Sequence, residues 1–364
     1  TGAARERQVM EALWTWQTLD VVNPEVLKGA LAASDARVRA AAARVFSHWL
    51  TRLTPAEEWH QRARDLAQDA HPRVRLEAVR LLSNVPGTDA VLAALGTYGS
   101  ERDVYLDYAL LVTLRERRAD WLPEVQKDNK AFTENADRLL FALDAVAGGD
   151  VVPPLVHGLA QKRFDDTQAA KAIGLIAAHG NPGQIGTVTE QLCARFEKDD
   201  ESAVPLWRAL LDGTRQRNIQ PGSGLDRVAA LVAEKTGTIQ YQALEAGGLW
   251  KIEALRPALA AFLKNGDSSR HLRNLSIDAL RSLGGEASKT LLVELTATHP
   301  DRDTRAIAVG ALVALGPVEA AQAAVPLLQS SEDNGDVQRL LDAFLKQEPS
   351  LAQLAQSLEG QTLP

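Results

Sequence analysis

Apolar residues along this chain recur at spacings of three and four, in runs of about ten to fifteen residues separated by short polar breaks. After Asp35, for example, Val38, Ala41, Ala42, Val45, Phe46 and Trp49 fall at i, i+3, i+4 and i+7 positions and form one helical face to be buried. Alternation of period two bounded by hairpin turns is not evident, so the pattern predicts helices without sheet. Helix starts carry Pro or a capping side chain: Asp35 can accept from an amide of the next turn, and Pro72 suits a first helical position. Gly148-Gly149, Gly180, Gly213, Gly284-Gly285 and Gly316 read as helix stops. These signals predict helices at 24–33, 55–68, 90–98, 182–196, 225–234, 255–264 and 287–298, each followed by a second helix.

The second helices begin alike. A polar turn is followed by a Val/Leu–Arg step and an apolar run: Asp35-Ala-Arg-Val-Arg39, His71-Pro-Arg-Val-Arg75, His271-Leu-Arg273 and Asp303-Thr-Arg305. Taking Arg as the marker, the steps are 32 (Arg7 to Arg39), 36 (Arg39 to Arg75) and 32 (Arg273 to Arg305). The 198 residues between Arg75 and Arg273 hold six steps of 33, filled by weaker copies such as that around Asp107, and a last copy begins at Asp336. The chain therefore reads as all-α: about 11 antiparallel helix pairs stacked as one α-solenoid array over residues 1–364, clearest over 5–118 and 255–346. Asp35, Arg39, Arg75, Asp107, Arg273, Asp303 and Arg305 form a ladder. Each Asp is expected to cap its helix, and each Arg to reach the turn of the next repeat. A ligand-binding role for the ladder is the alternative.

The Asp-x-x-Val-Arg step followed by Ala-Ala and an apolar helix resembles HEAT repeats in a short form of about 33 residues, similar to the units of phycobilisome lyases. A narrower likeness runs through Arg5-Glu-Arg-Gln-Val-Met-Glu-Ala-Leu-Trp14-Thr-Trp16, Val38 to Trp49, His71 to Ser83 and Tyr105-Leu-Asp107-Tyr108 to Arg115. Over residues 5–118 this series resembles the HEAT segment of membrane-bound dehydrogenases of planctomycete and verrucomicrobial type. In that family a β-propeller precedes the segment and a c-type cytochrome domain with CxxCH follows it. The resemblance implies a periplasmic or cell-envelope location, and a scaffold placed between a propeller dehydrogenase and a c-type cytochrome. This sequence has neither the propeller nor a CxxCH, and it opens at Thr1 rather than Met, as a middle module or processed product would. No dehydrogenase residue and no haem ligand can be carried over to it.

Composition narrows the chemistry. A single Cys, Cys193, excludes an internal disulfide, a CxxC zinc site and haem attachment within the chain, and its apolar helical setting suggests a small packed side chain. The seven His include no HxxxH or HExxH pair; His71 and His299 precede Pro at turns, and His48 stands beside Trp49 at a helix end. Phosphate loops and a nucleophile elbow are missing. Asp165-Asp166 and Asp199-Asp200-Glu201 read as solvated caps. Catalytic residues, cofactor ligands and metal ligands are accordingly expected to be none. Lys and Arg number 40 against 47 Asp and Glu, a net charge of −7, which argues against a broad nucleic-acid footprint. Residues 1–118 carry +1 and the remainder −8, a charge able to steer a basic partner. No apolar run is long enough for a membrane span.

Aromatic residues make up only 5% of the chain, as expected of thin, Ala-lined helix seams with little room for large rings. Four of seven Trp, namely Trp14, Trp16, Trp49 and Trp59, fall within the first 60 residues. They either seal the open end of the stack or dock an adjacent domain. The sequence thus points to a non-catalytic scaffold of a larger redox protein. A free-standing peptide- or protein-binding adaptor is the alternative, and a HEAT-like DNA glycosylase or bilin lyase ranks behind both.

Overall fold

The computed structural model describes residues 2–99, 103–331, 334–346 and 348–362, and among them every regular element is helical. The first helices in chain order are α1 (Gly2–Thr18), α2 (Pro24–Leu31), α3 (Ala36–Trp49), α4 (Ala56–Leu66), α5 (Pro72–Leu82) and α6 (Thr88–Gly96). They are followed by α7 (Val104–Glu116), α8 (Arg118–Gln126), α9 (Lys130–Thr133), α10 (Ala136–Val146), α11 (Val152–Ala160) and α12 (Asp166–His179). Next come α13 (Pro182–Phe196), α14 (Val204–Arg217), α15 (Leu225–Glu234), α16 (Gly237–Leu249), α17 (Arg256–Lys264) and α18 (Arg270–Leu283). The last are α19 (Gly285–Thr298), α20 (Arg302–Leu312), α21 (Pro317–Gln329), α22 (Asn334–Leu345) and α23 (Glu348–Leu358). The chain divides into two compact units, Thr1–Leu175 and Ile176–Pro364, with the boundary inside α12.

In unit 1, α1, α3, α5, α7 and α10 follow one another as neighbours in one layer, while α4, α6, α8 and α11 do so in the other. Pairs α2/α3, α4/α5 and α6/α7 cross between the layers. Unit 2 repeats the plan: α14, α16, α18, α20 and α22 form one layer, and α13, α15 and then α17, α19, α21 and α23 lie in the other.

Local chemistry explains where the helices begin. Asp35 Oδ1 accepts from the Arg37 amide at 2.8 Å to start α3, and His71 Nδ1 accepts from the Arg73 amide at 3.2 Å, with Pro72 at the first position of α5. Asp103 takes the amides of Tyr105 and Leu106 to start α7. The predicted ranges 182–196 and 225–234 coincide with α13 and α15. Gly213 departs from its reading as a helix stop: it lies inside α14, where a Cβ would sit 2.4 Å from Ala177 Cβ, so its small size lets two helices touch.

The buried face of α3 is wider than the predicted stripe. Val38, Ala42, Val45, Phe46 and Trp49 are buried as expected, but Ala40 and Ala43 are buried too, and Ala41 is only half-buried. The reason is that α3 packs against α1 and α5 in its own layer and against α2 across the layers. The seams also hold more large rings than expected. Trp49, Trp59, Trp121, Trp207 and Trp250 are all fully buried. Phe46 meets Trp59 edge-on at 5.2 Å, and Trp207 lies 5.3 Å from Phe196 and 5.5 Å from Trp250. Rings gather at a few nodes, and Ala lines the intervals.

Candidate functional site

Three arginines of the ladder hydrogen-bond to the turns around them. Arg39 Nε and Nη2 donate to Asp69 at 2.8 and 2.9 Å, while Nη1 donates to the Ala33 and Ser34 carbonyls at 2.9 Å each. One guanidinium thus ties the turn before its own helix to the turn of the next repeat. Arg75 repeats the first half, donating to the Asp69 and Ala70 carbonyls at 3.1 and 2.9 Å. Arg273 repeats both halves, donating to the Ser268 carbonyl, to Asp301 at 3.3 Å and to Thr304 Oγ1 at 3.1 Å. The Arg39 guanidinium, hydrogen-bonded to Asp69, holds that carboxyl below its ordinary range.

Two ladder acids are corrected. The residue capping α20 is Asp301, which takes the amides of Asp303 and Thr304; Asp303 lies in the first turn and pairs with Arg270 at 2.8 Å. The cap of α7 is Asp103, and Asp107 lies inside the helix. In both cases the cap precedes the helix, so the acid nearest the apolar run sits too far along to reach the free amides. Arg305 occupies the first-turn position on α20; residues 332–333, one repeat on, lie outside the described residues, as does the side chain of Asp336. Arg7 does not open the ladder. It pairs with Glu11 on the surface of α1, and its neighbour Glu6 makes the register contact, accepting from the Ser34 amide and hydroxyl at 2.7 Å and from the Asp35 amide at 3.0 Å.

The four N-terminal tryptophans separate. Trp49 and Trp59 are 0% and 1% exposed and belong to the core, so neither can meet a partner. Trp16 is partly buried against that same core, and Trp14 is 46% exposed. Cys193 is buried, and desolvation pushes its thiol up to about 12. Asp199 and Asp200 are held by Lys235 and Arg195 at 2.7 and 2.6 Å. Among the described residues no group of three or more His, Cys, Asp or Glu is placed to hold a metal ion, and no helix is long and apolar enough to cross a membrane.

Trp14 leads to a feature the sequence did not single out. The outward stripes of α1, α3, α5 and α7 border two adjoining grooves in unit 1, of about 510 and 720 Å³, which share Arg44, His48, Arg73 and Glu77. On α3 the lining positions include Arg37, Arg44 and His48; on α5, Arg73, Glu77 and Arg80; on α7, Tyr105, Tyr108 and Val112. These spacings of three, four and seven are the helical period on the face turned away from the core. Tyr105 and Tyr108 are 69% and 68% exposed. Glu77 is buried and fixed between Arg73 at 3.1 Å and Arg80 at 3.2 Å. Arg37 is tied to Asp35 at 2.7 Å, and its hydrogen bonds hold the Asp35 carboxyl down to about 2. Arg44 is exposed and makes no ion pair with the described residues. The arrangement is a cationic, aromatic-ended groove in a chain of net charge −7. Sequence reading missed it because its arginines and tyrosines lie on the side of each helix that carries no core signal, beside buried lining residues such as Val45 and Thr113. The available hint was the recurrence of Arg and aromatic residues at helical spacing on that side.

Residues 226–313, from α15 to just beyond α20, match the family model described as HEAT repeats. These are HEAT-like repeats, and the fold is an all-α solenoid of them. No curated protein sequence matches the chain. Among solved structures, a crystal structure of importin beta is similar at 17% identity with a TM-score of 0.35. That likeness covers 91% of this chain and 47% of importin beta, so this chain spans less than half of that protein's length.

Proposed function

We propose that this chain is a non-catalytic HEAT-like scaffold whose unit 1 groove holds a protein partner. The observation that carries this reading is the groove itself: exposed Trp14, Tyr105 and Tyr108 at the two ends of a row of arginines, on helices whose opposite faces build the core. Trp, Tyr and Arg are the side chains that most often dominate binding energy at protein interfaces. The groove is built wholly from residues 14–113, within the 5–118 stretch that resembles the HEAT segment of membrane-bound dehydrogenases. On that basis the partner is a neighbouring propeller dehydrogenase or c-type cytochrome domain of a larger redox protein, in the periplasm or cell envelope.

The test is a photo-crosslinking amino acid placed at Tyr105 in the source cells, with a second at exposed Arg208 in unit 2 as reference. Crosslinks from position 105 to a propeller or c-type haem domain are the expected result. Crosslinks to one unrelated protein would replace the redox setting with a free-standing adaptor. Equal, indiscriminate labelling from both positions would overturn the groove as a binding site.

A further inference from the structure

The order of side chains along the groove restricts what lies in it, given that it is a binding site as proposed above. Trp14 stands at the α1 end and Tyr105 with Tyr108 at the α7 end. Between them run Arg37 and Arg44 on α3, then Arg73 and Arg80 on α5. Adjacent packed helices lie about 8–10 Å apart, so four of them span roughly 25–30 Å. An extended chain advancing about 3.3 Å per residue crosses that distance in about eight or nine residues.

We infer that the groove binds an extended acidic peptide segment, with carboxylates at its centre and an apolar or aromatic side chain toward each end. Arg44, Arg73 and Arg80 supply the complementary charge, since Arg37 is already paired with Asp35. Arg44 makes no ion pair among the described residues, and Arg73 and Arg80 keep more than half of their side-chain surface open while each pairs with Glu77. A guanidinium held on one side by a buried carboxylate is pre-positioned to take a second one on its open side, so little side-chain entropy is lost on binding. The aromatic ends bury apolar side chains and set the register of the segment. A nucleic acid strand fits less well. Its phosphates form an unbroken row of charge, whereas the Glu77 carboxylate interrupts the arginines and the whole chain carries −7.

The experiment uses the full chain and three fluorescent probes. One is a peptide of about nine residues with Phe near each end and about four Glu between. The second has Gln in place of Glu, and the third is a single-stranded oligonucleotide of similar length. Fluorescence anisotropy is expected to show binding of the Glu peptide, at least about tenfold weaker binding of the Gln peptide, and weakening with added salt. Arg44→Glu is expected to weaken the Glu peptide about tenfold or more, and Trp14→Ala and Tyr108→Ala about three- to tenfold each, with the circular dichroism spectrum unchanged. The charge reversal Arg208→Glu on α14 is expected to change nothing. Equal binding of the Gln peptide, tighter binding of the oligonucleotide, or an equal effect of Arg208→Glu would each overturn the inference. If the Glu peptide fails while the Tyr105 crosslinks persist and are lost in Arg44→Glu, the groove remains a protein site and only its acidic-segment chemistry falls.

Discussion

Arg39 holds two turns at once, and what it does depends on a partner 30 residues away. Both side chains of the Arg39–Asp69 pair are largely buried, at 18% and 12% exposed, and Asp69 also takes the His71 amide at 2.9 Å. Removing the carboxylate leaves donors unmatched, so Asp69→Ala is expected to cost about 1–3 kcal/mol near neutral pH. The pH dependence follows from the direction of the shift. The folded carboxyl lies below its ordinary value, so its contribution is present above about pH 4 and is lost as pH falls through the folded value. In urea unfolding, the gap between the native chain and Asp69→Ala should therefore be steady from about pH 5 to 7 and narrow below about pH 4. A gap of undiminished size in strong acid would show that the pair is not its source. At Cys193, burial pushes the thiol up to about 12. A disulfide reagent at mildly alkaline pH should leave it unmodified in the folded chain and titrate it fully in denaturant. Rapid labelling of the folded chain would contradict the burial of Cys193.

At the scale of the element, glycines divide by what surrounds them. A Cβ on Gly29 in α2 meets nothing within 4 Å, whereas one on Gly213 in α14 meets Ala177 Cβ at 2.4 Å. Gly29→Ala should then raise stability by about 0.5–1 kcal/mol, because the unfolded chain loses freedom and the folded helix loses nothing. Gly213→Ala should lower it by about 1–3 kcal/mol by forcing two helices apart. Thermal unfolding of the two variants should shift in opposite directions, and shifts of the same sign would refute the close approach. The helices themselves were legible in the sequence. Caps, prolines and three-four spacing act within one or two turns of the chain, which is why α13 and α15 fall where the pattern puts them. Gly213 was misread because its glycine signal resembles that of a stop, and the demand for small size comes from a helix more than thirty residues earlier.

For the molecule as a whole, repeat stacking makes stability a sum of neighbour contacts. Trp49 is fully buried in unit 1, where Phe46 and Trp59 belong to the same core cluster. Trp49→Ala should cost about 3–5 kcal/mol. Hydrogen exchange should locate that loss in α3 and its neighbours α1, α2 and α5, with protection in the later helices of unit 2 kept. A uniform loss of protection through residue 362 would indicate one cooperative body in place of neighbour-limited stacking.

The sequence alone determined the all-α class, the repeat of about 33 residues, the starts of most helices and the place of Arg39, Arg75 and Arg273 in the first turn of theirs. The helices and their starts follow from hydrogen bonds and side-chain directions within single helices, and the repeat follows from the recurrence of one motif along the chain. Only the tertiary structure decided that Arg39 reaches Asp69, that Trp49 and Trp59 are core while Trp14 is exposed, and that Arg44, Arg73, Arg80 and Tyr108 line adjoining grooves. Such contacts depend on the rotation and spacing of helices about thirty residues apart. Packing sets those quantities, and no single helix encodes them.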